Sequence, residues 1–210
     1  MTFYLIRHGE TDWNVQRKLQ GQSDIPLNDF GRQQALALKD LLAPLQIKSV
    51  FASDLSRAVE TARLGFKNLP HLVDQLEQRL HPGLREVNLG TYEGSQWTEM
   101  AGVFGEHFVE GWMSADPNHD HLKFPEGESK GEIKSRFKKT LVEIFNLVPP
   151  QPVAIVTHGL AIRTFIHSIC DDLQDTFRTP NCAVLPCRFD PSKQAFEYIG
   201  PKSITQVMRP

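Results

Sequence analysis

Three places in this chain carry residue types suited to gripping and moving a phosphoryl group. Arg7-His8 closes a short apolar run at residues 2–6. Arg57 follows Ser53-Asp54, which close a second run at 50–52, and His158 closes a third at 153–157. In an open α/β sheet, ligands sit beyond the carboxyl ends of the strands. Helices that start there offer backbone N–H groups to an anion. Such a sheet would gather two guanidiniums, two imidazoles and positive helix ends around one point, which describes a phosphate pocket. Two guanidiniums can fork onto phosphoryl oxygens. A neutral imidazole among them can attack phosphorus, giving a phosphohistidine that water later resolves. The neighbouring arginine charges disfavour its protonated form. A second imidazole, once protonated, would stabilise charge on the group in transfer. A departing alkoxide also needs a proton; Glu86 is the leading candidate donor, with Glu10 and Glu93 as nearby alternatives.

The elements that must position these residues are legible in outline. Residues 10–27 lack periodicity and contain Gly21, Asp24 and Pro26, so they read as a long loop, a feature that is often functional. From Asn28 to Pro44 the apolar residues Phe30, Ala35, Leu38, Leu41 and Leu42 recur at helical steps. Ser53 and Asp54 are suitable caps for a helix carrying Leu55, Ala58, Val59 and Ala62. Residues 84–94 are turn-rich and lead into an insert at approximately 95–130. Ser129 and Glu132 form a capping box for a further helix, which Pro149-Pro150 stops. After the strand at 153–157 comes a helix bearing Leu160, Ile162, Phe165, Ile166 and Ile169. Residues 183–189 and 195–199, joined by Asp190-Pro191-Ser192-Lys193, read as a hairpin. Strands alternating with helices imply a three-layer α/β/α architecture, with a mainly parallel sheet flanked by helices and a helical cap insert. The whole chain, 1–210, reads as a single domain.

Composition narrows the class. With 210 residues, 40% apolar and 23% charged, the chain can bury a real core and is too apolar for disorder. A net charge of −2 argues against a nucleic-acid partner. Three cysteines without a C-x-x-C pair support neither a disulfide framework nor a zinc ribbon, and Cys182 and Cys187 read as strand-packing thiols. The N-terminus meets charge after six residues, so no signal peptide is expected, and no apolar run is long enough for a membrane partner. A cytoplasmic location is the default. His119 and His121 form an H-x-H pair without further placed ligands and stay unassigned.

Taken in order, the blocks Arg7-His8-Gly9-Glu10-Thr11 with Trp13-Asn14, Gln20-Gly21, Ser53 through Ala62, Leu84-Arg85-Glu86 with Leu89-Gly90 and Glu93-Gly94, and Val156-Thr157-His158-Gly159 closely resemble the histidine phosphatase superfamily, the phosphoglycerate mutase-like fold. The resemblance covers nearly the whole chain. It implies that His8 is the phosphorylated nucleophile, that Arg7, Arg57 and His158 complete the phosphate pocket, and that Glu86 is the proton donor. It places Asn14, Gln20, Gly21 and Gly159 at the substrate, although the first three could equally serve to order their loop. It implies no metal, and no cofactor is expected. The expected partner is a small-molecule phosphomonoester; a homodimer is left open.

Within that family the fork is between hydrolase and mutase. From Glu86 through Glu128 the chain has nine acidic residues and one lysine, Lys123. An acidic lid would repel substrates with further negative charge, so a phosphomonoester hydrolase is expected before a cofactor-dependent mutase. The complete catalytic set argues against a third reading, a silent phosphate-binding module. The LRE-x-N-x-G-x-x-EG block resembles that of the α-ribazole and broad-specificity phosphatases. Trp97, Phe104, Phe108 and Trp112 could be core or a platform for neutral or aromatic leaving groups.

Overall fold

The computed structural model describes residues 1–171, 173 and 177–201. At its centre β1 (Thr2–Arg7) pairs in parallel with β3 (Val153–Thr157), and β2 (Ser49–Ala52) pairs in parallel with the far edge of β3. On the other side of β1, β4 (Val184–Asp190) and β5 (Ala195–Tyr198) run antiparallel, giving the order β2-β3-β1-β4-β5. The register decides where the chemistry goes. Arg7 lies opposite Thr157 and Ala52 opposite Val156, so the three parallel strands end level with one another. The chain leaves each strand still bonded to its neighbour, His8 N–H to the Thr157 carbonyl (2.9 Å) and Ser53 N–H to that of Val156 (2.9 Å).

Side chains alternate across the strands. Phe3, Leu5, Val153, Ile155, Leu185 and Cys187 face one core, against Ile133, Phe137 and Leu141 of α7 (Lys130–Leu147) and Ile162, Phe165 and Ile166 of α8 (Gly159–His167). Ile6, Val50, Ala52, Ala154 and Val156 face the other core. There they meet Ala35, Leu38 and Leu42 of α2 (Asp29–Leu42) and Ala58 and Ala62 of α3 (Ser56–Gly65). β3 is buried at all five positions because it has a strand on each edge and a helical layer on each face. These are the three layers that the alternation of elements implies. The Ser129/Glu132 capping box, the helix expected from Asn28 and the hairpin are all present, and Asn28 itself caps its helix.

Two local expectations fail. The loop at 10–27 contains one helical turn, α1 (Asp12–Val15), closed by a capping box between Thr11 and Asn14 that the apolar pattern could not reveal. Ser53 and Asp54 do not cap α3. Asp54 forks onto Arg85 (2.6 and 2.7 Å), a charge-assisted pair stronger than a cap. The backbone N–H and hydroxyl of Ser56 donate instead to Asp24, from the distant loop (2.8 and 2.7 Å).

Between α4 (Pro70–Val73) and α7 lies the insert, with α5 (Met100–Phe104) and α6 (Glu106–Met113). Its aromatics build a small core around the fully buried Phe124, whose ring lies 5.0–5.7 Å from those of Tyr92, Phe104, Phe108 and Trp112. Trp97 packs against the same cluster. The aromatic set is therefore core, and the leaving-group platform is not there. Phe124→Ala should cost about 3–5 kcal/mol, the usual result of emptying a closed aromatic site; urea unfolding measures it, and a loss below about 1 kcal/mol would show that the cap is not packed around this ring.

Candidate active site

At the carboxyl end of the parallel strands a cavity of about 220 Å³ is lined by Arg7, His8, Asn14, Gln20, Gly21, Arg57, Glu86 and Gly159, together with Lys18, Leu19, Leu89, Met113, Leu160, Arg163, Arg178 and Thr179. Eight of the nine residues singled out in the sequence thus meet on one surface. The ninth, His158, does not line the cavity: it is fully buried, its ring 5.1 Å from that of His8.

His8 is fixed by its neighbour. Its Nδ1 lies 2.6 Å from the Gly9 carbonyl, which can only accept, so Nδ1 carries the proton and the lone pair sits on Nε2. Burial, reinforced by the fields of Arg57 and Arg7, holds the His8 pKa well below its ordinary value. His158 is lowered in the same way, by burial first and then by Arg57, His8 and Arg7. Neither of its ring nitrogens has a hydrogen-bond partner among the described residues.

Both arginines are held by carbonyl oxygens. Arg57 is fully buried and donates to the Ser23 and Gly21 carbonyls (2.7 and 2.8 Å); Arg7 donates to that of Thr179 (2.6 Å). Burial lowers Arg57 to about 10, still cationic at neutral pH. The Nε of each arginine is buried without a partner among the described residues. A buried donor left unpaired costs about 1–3 kcal/mol, so these groups are donors waiting for an acceptor. Gly21 is required where it stands: its φ is +52°, and a Cβ would come within 2.0 Å of a Glu93 carboxylate oxygen. That carboxylate accepts from Gln22 N, Ser23 N, Ser23 Oγ and Leu89 N (2.6–3.2 Å) and so shapes the loop whose carbonyls hold Arg57. At Gly159 a Cβ would lie 3.1 Å from Arg7 Nε; its absence lets the guanidinium rest against the start of α8.

The pocket's assembly from blocks spread along the whole sequence is matched by relatedness along the whole sequence. Residues 3–200 match the family model for the histidine phosphatase superfamily, branch 1. The chain belongs to that superfamily. Among its relatives, a protein named probable phosphoglycerate mutase GpmB from Enterobacter sp. (strain 638) is 33% identical over 79% of this chain and 73% of its own. Phosphoglycerate mutase-like protein 4 of Arabidopsis thaliana is 35% identical over 76% and 67%. Among solved structures, Bacillus stearothermophilus YhfR superposes with a TM-score of 0.77 at 28% identity, covering 97% of this chain and 98% of that one. A mycobacterial glucosyl-3-phosphoglycerate phosphatase shares the fold, with a TM-score of 0.81 at 23% identity over 97% and 99%.

In this member of the superfamily the carboxylates have separate duties. Glu86 is buried on the cavity wall, its Oε1 accepting from Val87 N (3.0 Å) and Ala161 N (2.8 Å) and its Oε2 from Leu160 N (3.0 Å). The helix N-terminus that the sequence offered to phosphate is thus occupied by Glu86; a buried carboxylate needs those donors, and the helix dipole favours it there. Glu10 instead accepts from the Asn28 amide, and Glu93 shapes the loop, so neither competes for the cavity wall. Asn14 and Gln20 reach the cavity and also order the loop, bonding Thr11. The expectation of an acidic lid is overturned. Glu99, Glu106 and Glu110 are exposed and off the cavity, Asp120 pairs with Lys134 and Glu128 with Arg136, while the cavity wall itself carries five cations. His119 and His121 belong to no metal-binding cluster among the described residues.

Sequence reasoning also missed Lys18, Arg163 and Arg178, and the support of the Glu86 segment. Lys18 lies between two recognised blocks, Trp13-Asn14 and Gln20-Gly21; Arg163 is one turn beyond Gly159; Arg178 has no local signal. Arg136, on α7, donates to the carbonyls of Gly83, Arg85 and Glu86 (2.8–3.2 Å) and forks onto Glu128, which accepts from Asn88 N (2.9 Å). Thr157 Oγ1 donates to the Leu84 carbonyl (2.6 Å). Four successive carbonyls of an irregular segment are thereby satisfied from outside it. Arg136→Ala should cost about 2 kcal/mol or more, because it strands Glu128 and the Gly83 and Arg85 carbonyls, and amide exchange at Asn88 should accelerate. Unchanged exchange there would show that the segment stands without the arginine.

The histidines predict a pH response. Both are held neutral in the folded protein, whereas an unfolded histidine protonates near pH 6.5, so below about that pH the unfolded state binds more protons and stability falls. Between about pH 7.5 and 5.5 the Tm should drop further than in the variant carrying both His8→Gln and His158→Gln. Equal drops would mean that neither ring is held neutral.

Proposed function

We propose that this chain is a metal-independent phosphomonoester hydrolase acting through a phosphohistidine at His8 on a small phosphorylated metabolite in the cytoplasm. The observation that carries the reading is the His8 ring: its Nδ1 proton is committed to Gly9, so Nε2 presents a lone pair to a cavity whose arginines hold unspent donors. In the first step Nε2 bonds to phosphorus as the ester P–O bond breaks, and the departing alkoxide takes a proton from Glu86. In the second, water gives a proton to Glu86 as its oxygen attacks phosphorus, the N–P bond breaks, and inorganic phosphate leaves. Arg7 and Arg57 hold the phosphoryl oxygens, with His158 behind them. Glu86 Oε2, with one N–H donor, keeps a second lone-pair direction for the proton it must carry. Asn14, Gln20, Gly21 and Gly159 shape the substrate side. Charge neutralisation by arginine leaves no step that calls for a metal.

A mutase reading keeps the first step and returns the phosphoryl group to another hydroxyl. The curated relatives' names favour it, whereas the structural neighbours' names favour hydrolysis. Of the sequence arguments against it, the acidic lid has lost its structural basis, while the resemblance of the LRE-x-N-x-G-x-x-EG block to the α-ribazole and broad-specificity phosphatases still favours hydrolysis. Phosphate release from p-nitrophenyl phosphate, set beside conversion of 3-phosphoglycerate to 2-phosphoglycerate, separates the two.

His8→Ala should abolish turnover, and retention of more than about 1% of kcat would remove His8 from the nucleophile's place. Glu86→Gln should slow alkyl phosphates by about 10²–10⁴-fold, and p-nitrophenyl phosphate, whose leaving group needs little protonation, far less. Equal losses would remove Glu86 from the acid role. EDTA should leave activity intact; loss restored by Mg²⁺ or Zn²⁺ would overturn the metal-independent reading.

A further inference from the structure

The tautomer of His8 hangs on one carbonyl, that of Gly9, and glycine is the residue least able to hold its own peptide units in place. A side chain there is excluded, because a Cβ on Gly9 would come within 2.5 Å of the Gly31 carbonyl oxygen of α2. The direction of the Gly9 carbonyl must therefore be imposed from outside. Two side chains, from different helices, do this.

The peptide unit before Gly9 is held at both ends. Its N–H donates to Thr61 Oγ1 of α3 (3.0 Å), and its carbonyl, that of His8, accepts from Asn181 Nδ2 (3.0 Å) and Cys182 N (3.3 Å). Thr61 is fully buried. Its hydroxyl proton goes to the Arg57 carbonyl one turn back (2.6 Å), which leaves the oxygen's lone pairs to Gly9. The peptide unit after Gly9 carries the decisive carbonyl at one end and the Glu10 N–H at the other. Because that unit is planar and trans, the two groups point in opposite directions. Glu10 N–H donates to Gln34 Oε1 of α2 (2.9 Å), and this bond aims the Gly9 carbonyl at His8 Nδ1 on the far side.

We propose that Thr61 and Gln34 are positioning residues that set the tautomer of His8. By fixing the two peptide units around Gly9 they keep the proton on Nδ1 and leave the lone pair on Nε2. Neither residue lines the cavity, so both act through Gly9 and not on a ligand. The proposal rests on the hydrolase reading for what Nε2 does, and on these bonds alone for what holds the ring. A threonine bonded to the carbonyl one turn back is ordinary in a helix; the lone pair it turns toward Gly9 is what ties the nucleophile to the turn that carries Arg57.

The test reads the ring directly. With ¹⁵N-labelled histidine, NMR distinguishes protonated from lone-pair ring nitrogens, and the His8→Gln protein assigns the His8 signals by their loss. The unaltered protein should show His8 protonated at Nδ1. Thr61→Val keeps the shape and removes the hydroxyl; Gln34→Met keeps the length and removes the acceptor. Each should move about half or more of the His8 ring to the tautomer protonated at Nε2. The kcat for p-nitrophenyl phosphate should then fall by about two- to tenfold, as the competent fraction falls, with KM changed less than about twofold. Thr61→Ser should restore both the tautomer and kcat. A His8 protonated at Nε2 in the unaltered protein, or a tautomer that either substitution leaves unmoved, overturns the proposal, and a fall in kcat without that movement marks a structural role alone. Where Thr61→Val does not fold, Gln34→Met, at a half-buried helical position, carries the same readings. A protein that hydrolyses no ester would strike the hydrolase reading, while the tautomer, read without turnover, still decides the positioning.

Discussion

The structure is organised around the burial of two guanidiniums next to two neutral imidazoles. Arg57 has no exposed surface, and a buried cation is tolerable only where other dipoles replace water. Backbone carbonyls of Gly21, Ser23 and Thr179 do this, from loops rather than from helices or strands. The direct partners are therefore neutral, and the nearby carboxylates act through their fields. Bidentate ion pairs would have stabilised the same cations while consuming the donors that a phosphoryl group needs.

That choice propagates outward. A loop whose carbonyls point at Arg57 must turn its amides elsewhere, and those of Gln22 and Ser23 go to Glu93. Glu93 can approach only because Gly21 has no side chain. Burial, reinforced by the guanidinium fields, in turn holds His8 unprotonated, the state in which Nε2 can attack. On the opposite wall, Glu86 takes the N–H groups of α8, while Arg136 and Thr157 hold the irregular segment that presents it. Loop, nucleophile and carboxylate form one connected network, in which each buried polar group is satisfied by a neighbour or kept for a ligand.

The insert shows why linear charge counts mislead. Its acidic excess is real, yet helices separate charge by face. The aromatics of α5 and α6 turn inward around Phe124, which sends Glu99, Glu106 and Glu110 to the outside. The potential that a ligand meets is set by the few side chains on the cavity wall, and these are basic.

The sequence determined by itself what local physics could decide. Strand runs at 2–6, 50–52 and 153–157, the helix start at Asn28, the Ser129 cap and the DPSK turn depend on neighbours a few residues away, and all appear as expected. The parallel sheet and the convergence of Arg7, His8, Arg57 and His158 followed from the order of those elements, because ordered strands bring their carboxyl ends together, whereas Glu86 came from the need for a proton donor and from the family resemblance. The tertiary structure alone decided the partners. That Asp54 pairs with Arg85 and leaves the first turn of α3 to Asp24, that Glu86 occupies the α8 terminus, and that Lys18, Arg163 and Arg178 share one wall all depend on contacts between segments remote in sequence. Many carboxylates and carbonyls could have satisfied these groups. Only the packed arrangement selects among them, since hydrogen bonds and charge pairs act over a few ångströms of space and not along the chain.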